Sequence, residues 1–240
     1  MGANLHDIQT NIDKIKNELT TLLTAMNRAE DAVTIVAVTK THPGTAIEAA
    51  FKCGLRDFAE NKVQEAMRKV PMLGEAASGF HFIGHLQSNK INQLISLKPK
   101  LIQSIDSVYL AEKLHRALGN RNLIQDILIQ VNVTNEEQKS GVTFENAKDT
   151  IWKIASFPCL RVRGLMTIGK LHPNPEISRP YFKQLKELFD EINAMNVEGL
   201  SLEYLSMGMS HDWQIAVQEG SNMIRIGSAI FGERYYGDDR

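Results

Sequence analysis

The sequence has few cysteines, almost no net charge and no long apolar run. Cys53 and Cys159 are its two cysteines, and their wide separation in apolar surroundings favours reduced thiols in the cytoplasm over a disulfide. The formal net charge of −1 offers no positive surface for nucleic acid or an anionic membrane. No stretch reaches the roughly 20 apolar residues of a membrane span, and the N-terminus lacks the layout of a signal peptide.

What the chain does contain is enough apolar sequence for one large core. Hydrophobic residues make up 43% and charged residues 23% of its 240 residues, as in an ordinary globular protein. No linker rich in proline, glycine or serine divides the chain, so we predict one domain over residues 1–240. The segment 170–179 is predicted to be a surface loop.

Short apolar runs alternate with amphipathic stretches. Ile8, Ile12, Ile15, Leu19 and Leu22 recur at helical spacing and predict a first helix. The predicted strands are 33–39, 57–60, 80–84, 101–105, 126–133, 162–166, 202–206 and 223–227, and the predicted helices between them include 43–53, 61–72, 109–118, 144–156, 180–194 and 211–218. This alternation predicts an α/β fold, a single (β/α)8 TIM-type barrel with an extra N-terminal helix. An open doubly wound sheet is the alternative, but its usual GxGxxG turn is absent from the sequence.

Lys40 closes the first predicted strand, within Thr39-Lys40-Thr41. In a barrel of this kind, functional groups collect at the C-terminal ends of the strands. A lysine there would point its amine into the barrel mouth, where the loss of hydration favours the neutral amine that Schiff-base chemistry requires. Position alone favours a solvated lysine at a strand end, so the rest of the chain has to decide.

Two turns containing glycine and serine follow the last two predicted strands. Ser206 is predicted to end the seventh strand, before Met207-Gly208-Met209-Ser210, and Gly227-Ser228 follows the strand that carries Arg225. Glycines let backbone N–H groups approach an anion, a helix N-terminus adds favourable partial charge, and these two loops often hold phosphate in barrel enzymes. Such residues also make ordinary turns. A lysine at one rim and a phosphate site at the other would suit pyridoxal 5'-phosphate (PLP).

Five sequence blocks resemble the pyridoxal phosphate homeostasis protein family, also called the proline synthetase co-transcribed family. The most specific is FHFIGHLQSNK at 80–90, and the others are 36–40, 58–65, 164–166, and 205–210 with 225–228. The resemblance runs almost end to end. It implies the fold of the N-terminal barrel of alanine racemase. It also implies a regulator or carrier in intracellular PLP (vitamin B6) homeostasis, which holds PLP as a Schiff base without strong catalytic activity.

The resemblance further implies a set of cofactor-binding residues. They are Lys40, Asn61, Ser206, Arg225, Gly227, Ser228, Val38, His81, Met166 and Met207. Lys40 would form the Schiff base, and Ser206, Gly227 and Ser228 would bind the phosphate. Arg225 would face the pyridine nitrogen. Because arginine can only donate hydrogen bonds, it would leave that nitrogen unprotonated and make the ring a poorer electron sink.

A PLP-dependent amino-acid racemase is the main alternative. Two-base racemisation needs a second acid or base on the other face of the cofactor, and in alanine racemase a tyrosine of a second domain supplies it. This sequence ends about a dozen residues after the last predicted strand, so we expect no such domain, although Tyr235 or Tyr236 could enter the mouth. A barrel enzyme that uses Lys40 on another phosphorylated metabolite is a third reading.

The expected partners follow from the same features. PLP is the expected ligand, and apo-PLP enzymes are expected acceptors, because a cofactor face without a second domain would be open to them. Nucleic acid and membrane are not expected partners, and neither is a metal, because His81 and His85 lie on a strand and its following loop rather than on one helix face. We expect a monomer in the cytoplasm.

Overall fold

The computed structural model describes residues 5–136 and 138–232. The chain begins with helix α1 (Leu5–Ala25), whose buried residues are Ile8, Ile12, Ile15, Leu19 and Leu23. Four of the five predicted positions are confirmed. The fifth, Leu22, lies in the same helix and packs partly buried against that core, whereas Leu23, four residues after Leu19, is fully buried.

Within the described residues, eight parallel strands close into a barrel. They are β1 (Thr34–Val38), β2 (Asp57–Glu60), β3 (Phe80–Phe82), β4 (Leu101–Ile105), β5 (Gln125–Asn132), β7 (Leu160–Met166), β8 (Tyr204–Met209) and β9 (Met223–Ile226). The ring runs β1-β2-β3-β4-β5-β7-β8-β9, and β9 pairs with β1. A two-residue strand, β6 (Val142–Thr143), pairs with β5 outside this ring. The predicted (β/α)8 barrel with its extra first helix is confirmed.

Helices cover the outside of the barrel. They are α2 (Gly44–Lys52), α3 (Val63–Lys69), α4 (Ile91–Ser96), α5 (Val108–Gly119), α6 (Ala147–Ala155), α7 (Arg179–Ala194), α8 (Trp213–Gln218) and α9 (Ser228–Phe231). The six predicted helices are present with shifted ends. Helix α4 was not predicted, because its six residues are too few to show a helical period.

The seventh barrel strand extends beyond its predicted end. We expected it to stop at Ser206, but β8 continues to Met209, past a register shift against β9. Gly208 adopts φ +93°, and a Cβ there would lie 2.6 Å from the Ala216 Cβ and 2.9 Å from the Trp213 Cα. This glycine therefore lets α8 pack closely against β8 rather than opening backbone towards an anion.

Apolar residues form two layers. The larger layer lies between the strands and the helices. The smaller fills part of the barrel interior and consists of Val36, Val38, Ala59, Leu101, Leu128, Met166 and Met223. Polar side chains share that interior, among them His81, Gln103, Ser206 and Arg225, all buried. None of the helices within residues 5–136 and 138–232 combines the length and the hydropathy of a membrane span.

Candidate functional site

A cavity of about 300 Å³ opens at the C-terminal ends of the barrel strands. Four of the expected site residues line it, namely Lys40, Asn61, Met166 and Arg225. The cavity also contacts Thr167 and Met209, which directly follow or end barrel strands. The structure thus brings the predicted lysine and the predicted arginine to one site at the rim where barrels place their chemistry.

Lys40 reaches the cavity because of strand periodicity. Successive side chains on a strand point to opposite faces, and Val36 and Val38 of β1 lie in the inner apolar layer. Lys40 stands two residues after Val38, so its side chain continues on the inner side at the mouth. It is half-buried there. A fully solvated lysine, the other reading of the sequence, does not describe this position.

An ion cluster of Glu60, Glu65 and Lys69 holds the backbone on both sides of Lys40. The Lys69 Nζ lies 2.7 Å from Glu60 Oε1 and 2.6 Å from Glu65 Oε1. It also donates to the Thr39 carbonyl at 2.8 Å, and the Thr41 N–H donates to Glu65 Oε1 at 2.7 Å. Thr41 adopts φ +68°, a left-handed conformation that costs energy in a β-branched residue. The cluster therefore fixes the turn that presents Lys40.

Glu60 is the most buried member of this cluster. Its side chain has no exposed area, and Thr39 Oγ1 donates to its Oε1 at 2.6 Å. Burial raises the pKa of the Glu60 carboxyl above its ordinary value, and the Lys69 ammonium opposes that shift. Since the Glu60 Oε2 has no hydrogen-bond partner, the carboxylate depends on Lys69 for charge compensation.

Replacing Lys69 by methionine is expected to lower the free energy of unfolding by about 3–5 kcal/mol, because it leaves a buried charge uncompensated. Urea unfolding of the variant and the wild type measures this loss. The matched control is Lys62→Met, at an exposed position just before α3, where we expect a change within about 0.5 kcal/mol. Equal losses in the two variants would contradict the role given to the cluster.

Arg225 lies inside the barrel with 4% of its surface exposed. Its Nη1 donates to Ser206 Oγ and its Nη2 to the Thr167 carbonyl, both at 2.7 Å. Burial lowers the pKa of the guanidinium to about 10, and the charge of Asp212 opposes that shift. Arg225 therefore remains a cation at neutral pH, and its orientation is fixed by two neighbours.

The turn after β9 gathers backbone donors. The N–H groups of Gly227 and Ala229 both donate to Ser210 Oγ, at 3.1 and 3.2 Å. Helix α9 has only four residues, so these N–H groups, rather than a long helix dipole, form the donor set. Ser210 is not among the predicted site residues, since nothing in a single serine reveals the loop it faces.

The remaining expected residues lie away from the cavity wall. Val38 lies one layer deeper, in the inner apolar cluster. Ser206 is fully buried beneath Arg225 instead of standing at a strand end. Met207 packs in the outer layer against the helices, because it alternates with Ser206 along β8, and Met209 lines the cavity in its place. Gly227 and the exposed Ser228 lie in the turn beside the cavity.

His81 also differs from its expected place near the cofactor. It is buried in β3, and its Nε2 lies 2.9 Å from Oδ1 of Asp57, the first residue of β2. The N-terminal ends of parallel strands share one face of the barrel, so this contact points away from the mouth. The contacts of His81 are therefore those of a core hydrogen bond. The described residues contain no group of three or more histidine, cysteine, aspartate or glutamate side chains that could hold a metal ion, so His81 belongs to no such group.

Several cavity residues were missed or underrated from the sequence. Asn132, Lys139 and Ser140 line the cavity, and none of them is among the predicted site residues. The Lys139 Nζ contacts Glu136 Oε1 at 2.6 Å and donates to the Gly169 carbonyl at 3.1 Å. The Asn132 side chain donates to the Glu136 carbonyl at 3.0 Å. These contacts fold the loop after β5 back over the mouth, which no local pattern predicts. Tyr235 and Tyr236, the other residues considered for the mouth, lie outside the described residues.

Comparison with known proteins decides the family. The model of the alanine racemase N-terminal domain matches residues 5–235. The pyridoxal phosphate homeostasis protein of Aquifex aeolicus is 42% identical over 209 residues, which cover 87% of this chain and 90% of the relative. That of Escherichia coli K12 is 34% identical over 97% of this chain and 99% of the relative. This chain belongs to the pyridoxal phosphate homeostasis protein family.

Solved structures agree with membership of this family. PipY of Synechococcus elongatus, in a structure with PLP bound, is 30% identical with a TM-score of 0.80, covering 94% of this chain and all of PipY. An alanine racemase of Clostridium difficile has a TM-score of 0.72 at 17% identity, over 98% of this chain and 58% of the racemase. The second likeness shows that this chain shares the barrel fold of alanine racemase.

Proposed function

We propose that this chain binds PLP as a Schiff base on Lys40 and acts in PLP homeostasis as a regulator or carrier. The observation that carries the proposal is the placement of Lys40 and Arg225 in the wall of one cavity of about 300 Å³. Full-length relatives named for PLP homeostasis and the PLP-bound structure of PipY support the same ligand.

The residues present fit PLP chemically. The ligand combines an aldehyde, a pyridine ring and a phosphate, and when bound it supplies an electrophilic carbon that condenses with an amine. Lys40 offers the amine at the mouth. The Gly227 and Ala229 N–H groups now donate to Ser210 Oγ. Phosphate would take the place of that hydroxyl, since backbone donors of this kind bind phosphate in barrels.

Arg225 would meet the pyridine nitrogen. A guanidinium carries five N–H donors, and the hydrogen bonds to Ser206 and Thr167 use two of them. The others can donate to the ring nitrogen from the cavity wall. Because the cation does not release its proton to the ring, it withholds the pyridinium that strong electron withdrawal requires. Asn61 and Met166 would contact the ring from the neighbouring walls.

A pyridine nitrogen that stays unprotonated beside Arg225 makes PLP a weak electron sink, which favours a protein that binds PLP over one that catalyses reactions with it. Relatives at 34–42% identity are named homeostasis proteins, in agreement with such a role. The racemase alternative needs a second acid or base facing Lys40 across the cofactor, and its support is fold likeness to alanine racemase at 17% identity. Robust exchange of an amino acid's α-proton with solvent by the PLP-loaded protein would favour the racemase.

The proposal includes acceptor enzymes and a compartment. A cavity at the barrel mouth allows PLP to pass to an apo-PLP enzyme. Cys53 is buried and Cys159 half-buried, and both are free thiols, which fits a reducing cytoplasm. A monomer is part of the same proposal, and its mass in solution would test it.

The test of the proposal is a PLP titration followed by trapping. Purified protein mixed with PLP should develop the absorbance band of a Schiff base, and borohydride should remove the band. Peptide mapping of the reduced protein should then find the pyridoxyl group on Lys40. Trapping on another lysine, or no band at saturating PLP, would overturn the proposed site. For the carrier role, reactivation of an apo-PLP enzyme by the loaded protein at very low free PLP is the expected result.

A further inference from the structure

A chain of buried hydrogen bonds crosses the barrel interior from the cavity to its opposite end. Arg225 Nη1 donates to Ser206 Oγ at 2.7 Å, and Ser206 Oγ donates to Gln103 Oε1 at 2.7 Å. The Gln103 Nε2 lies 2.8 Å from His81 Nδ1, and His81 Nε2 lies 2.9 Å from Asp57 Oδ1. These side chains come from five different strands, β9, β8, β4, β3 and β2.

The donor and acceptor chemistry of Arg225 and of the Gln103 amide gives this series of hydrogen bonds a single direction, from Arg225 to Ser206 to Gln103 Oε1 and from Gln103 Nε2 to His81 to Asp57. Arg225 can only donate, so Ser206 must accept from it and donate its own proton to Gln103 Oε1. The Gln103 amide nitrogen can only donate, so His81 Nδ1 accepts and His81 Nε2–H donates to Asp57. The Gln103 Nε2 donates its second hydrogen to the Met223 sulfur, and the two heavy atoms are 3.3 Å apart. A flipped amide would place its oxygen against that sulfur, which has no hydrogen to donate.

Charge and burial support the same assignment. All five residues are at most 8% exposed, and Gln103 and Ser206 are completely buried. Burial lowers the pKa of His81, against the opposing effect of Asp57, so the imidazole is neutral, as its acceptor role requires. The Lys100 Nζ, 2.5 Å from Asp57 Oδ1, compensates the carboxylate at the far end. Each hydrogen bond polarises the next in such a one-way series.

We propose that Gln103 is a positioning residue for Arg225: through Ser206 it holds the guanidinium in the orientation that faces the cavity, and through His81 it is anchored to the opposite end of the barrel. The inference rests on the proposed function in that the held guanidinium is the group that meets the PLP ring. With an apolar residue in place of Gln103, the Ser206 hydroxyl would lose its acceptor and would be free to rotate. The Thr167 carbonyl would then be the partner that still fixes Arg225.

Gln103→Met tests the proposal because it removes the amide oxygen and the amide nitrogen while it keeps a side chain of similar volume. In the apo protein, we expect hydrogen exchange at the Arg225 side chain, followed by NMR, to become at least about tenfold faster. In the loaded protein, we expect the Kd for PLP to rise about tenfold and the absorbance band to shift. The matched control is Gln125→Met, which replaces another buried glutamine. The Nε2 of Gln125 donates to the carbonyls of Pro99 and Asp126, which take no part in the hydrogen-bonded series from Arg225 to Asp57. It should leave Arg225 exchange and the band unchanged.

Gln103→Glu provides the conservative rescue. A carboxylate still accepts from Ser206, so Arg225 exchange and PLP affinity should stay within about threefold of wild type. Its other oxygen faces His81 and accepts only if Nδ1 carries a proton, so the ¹⁵N shifts of His81 should become those of an imidazolium between two carboxylates. A His81 ring without a proton on Nε2 in this variant would overturn the assigned direction, whether the introduced carboxyl group is ionised or protonated, and this readout stands even where Gln103→Met fails to fold.

The outcomes separate the two proposals. If wild type forms no Schiff base but Gln103→Met frees Arg225, the proposed function fails and the positioning role stands. If wild type binds PLP on Lys40 but Gln103→Met matches Gln125→Met in every readout, the positioning role fails and the proposed function stands.

Discussion

Replacing Lys40 by alanine is expected to abolish the absorbance band that wild type gives with PLP and to leave no pyridoxyl group after borohydride. Alanine has no amine, so the covalent link cannot form. Ring and phosphate contacts would remain, because Arg225 and the turn at Gly227 do not depend on the Lys40 side chain for their own hydrogen bonds. We therefore expect residual binding weakened by a factor of roughly 100, about 2.7 kcal/mol.

The control for this experiment is Lys62→Ala, an exposed lysine next to the cavity residue Asn61. It removes one positive charge from the same region, so it corrects for long-range attraction of the phosphate. Its band and its affinity should match wild type. A Lys40→Ala protein that keeps the band at full intensity would place the Schiff base on a different lysine.

The barrel could be predicted from the sequence because its evidence is local and repeated. The predicted strands 101–105 and 57–60 coincide with β4 and β2 at both ends. Each such strand adds independent support to the alternation of strands and helices that predicts the barrel. Lys40 was found for a similar reason, since its position follows from the end of one strand. Helix α4 shows the limit, because six residues carry less than two helical turns.

The site was less predictable because it depends on contacts between distant residues. Ser206 and Gln103 are 103 positions apart and meet only inside the closed barrel. Met207 was expected at the site from its neighbours in the sequence, yet the alternation along β8 turns its side chain outward. Asn132 and Lys139 enter the wall through a loop that folds back after β5. The Ser206–Gln103 contact has no local signature in the sequence, and the turn of the loop after β5 depends on the contact of Lys139 with Gly169, 30 positions away.

Gly84→Ala is expected to lower the free energy of unfolding by about 3 kcal/mol, at the upper end of the range for overpacking. A Cβ on Gly84 would lie 1.9 Å from the Asn61 carbonyl oxygen and 2.8 Å from the Asn61 Cα. These are backbone atoms, so no side-chain rotation relieves the clash. Either the segment after β3 or the segment after β2 must move, and both line the cavity. Urea unfolding measures the loss.

The same substitution should weaken PLP binding about tenfold, because a displaced Asn61 changes the wall beside Lys40. Gly44→Ala is the matched control, since a Cβ there has no heavy atom within 4 Å and Gly44 begins α2. Alanine favours a helix by up to about 1 kcal/mol over glycine, so that variant should be as stable as wild type or more so, with unchanged affinity. Wild-type stability and affinity in Gly84→Ala would show that the approach of the two segments is not required. The expected result would explain the glycine in the FIGH sequence by the proximity of β2 and β3 at the cavity, and would make Asn61 a measured part of the site.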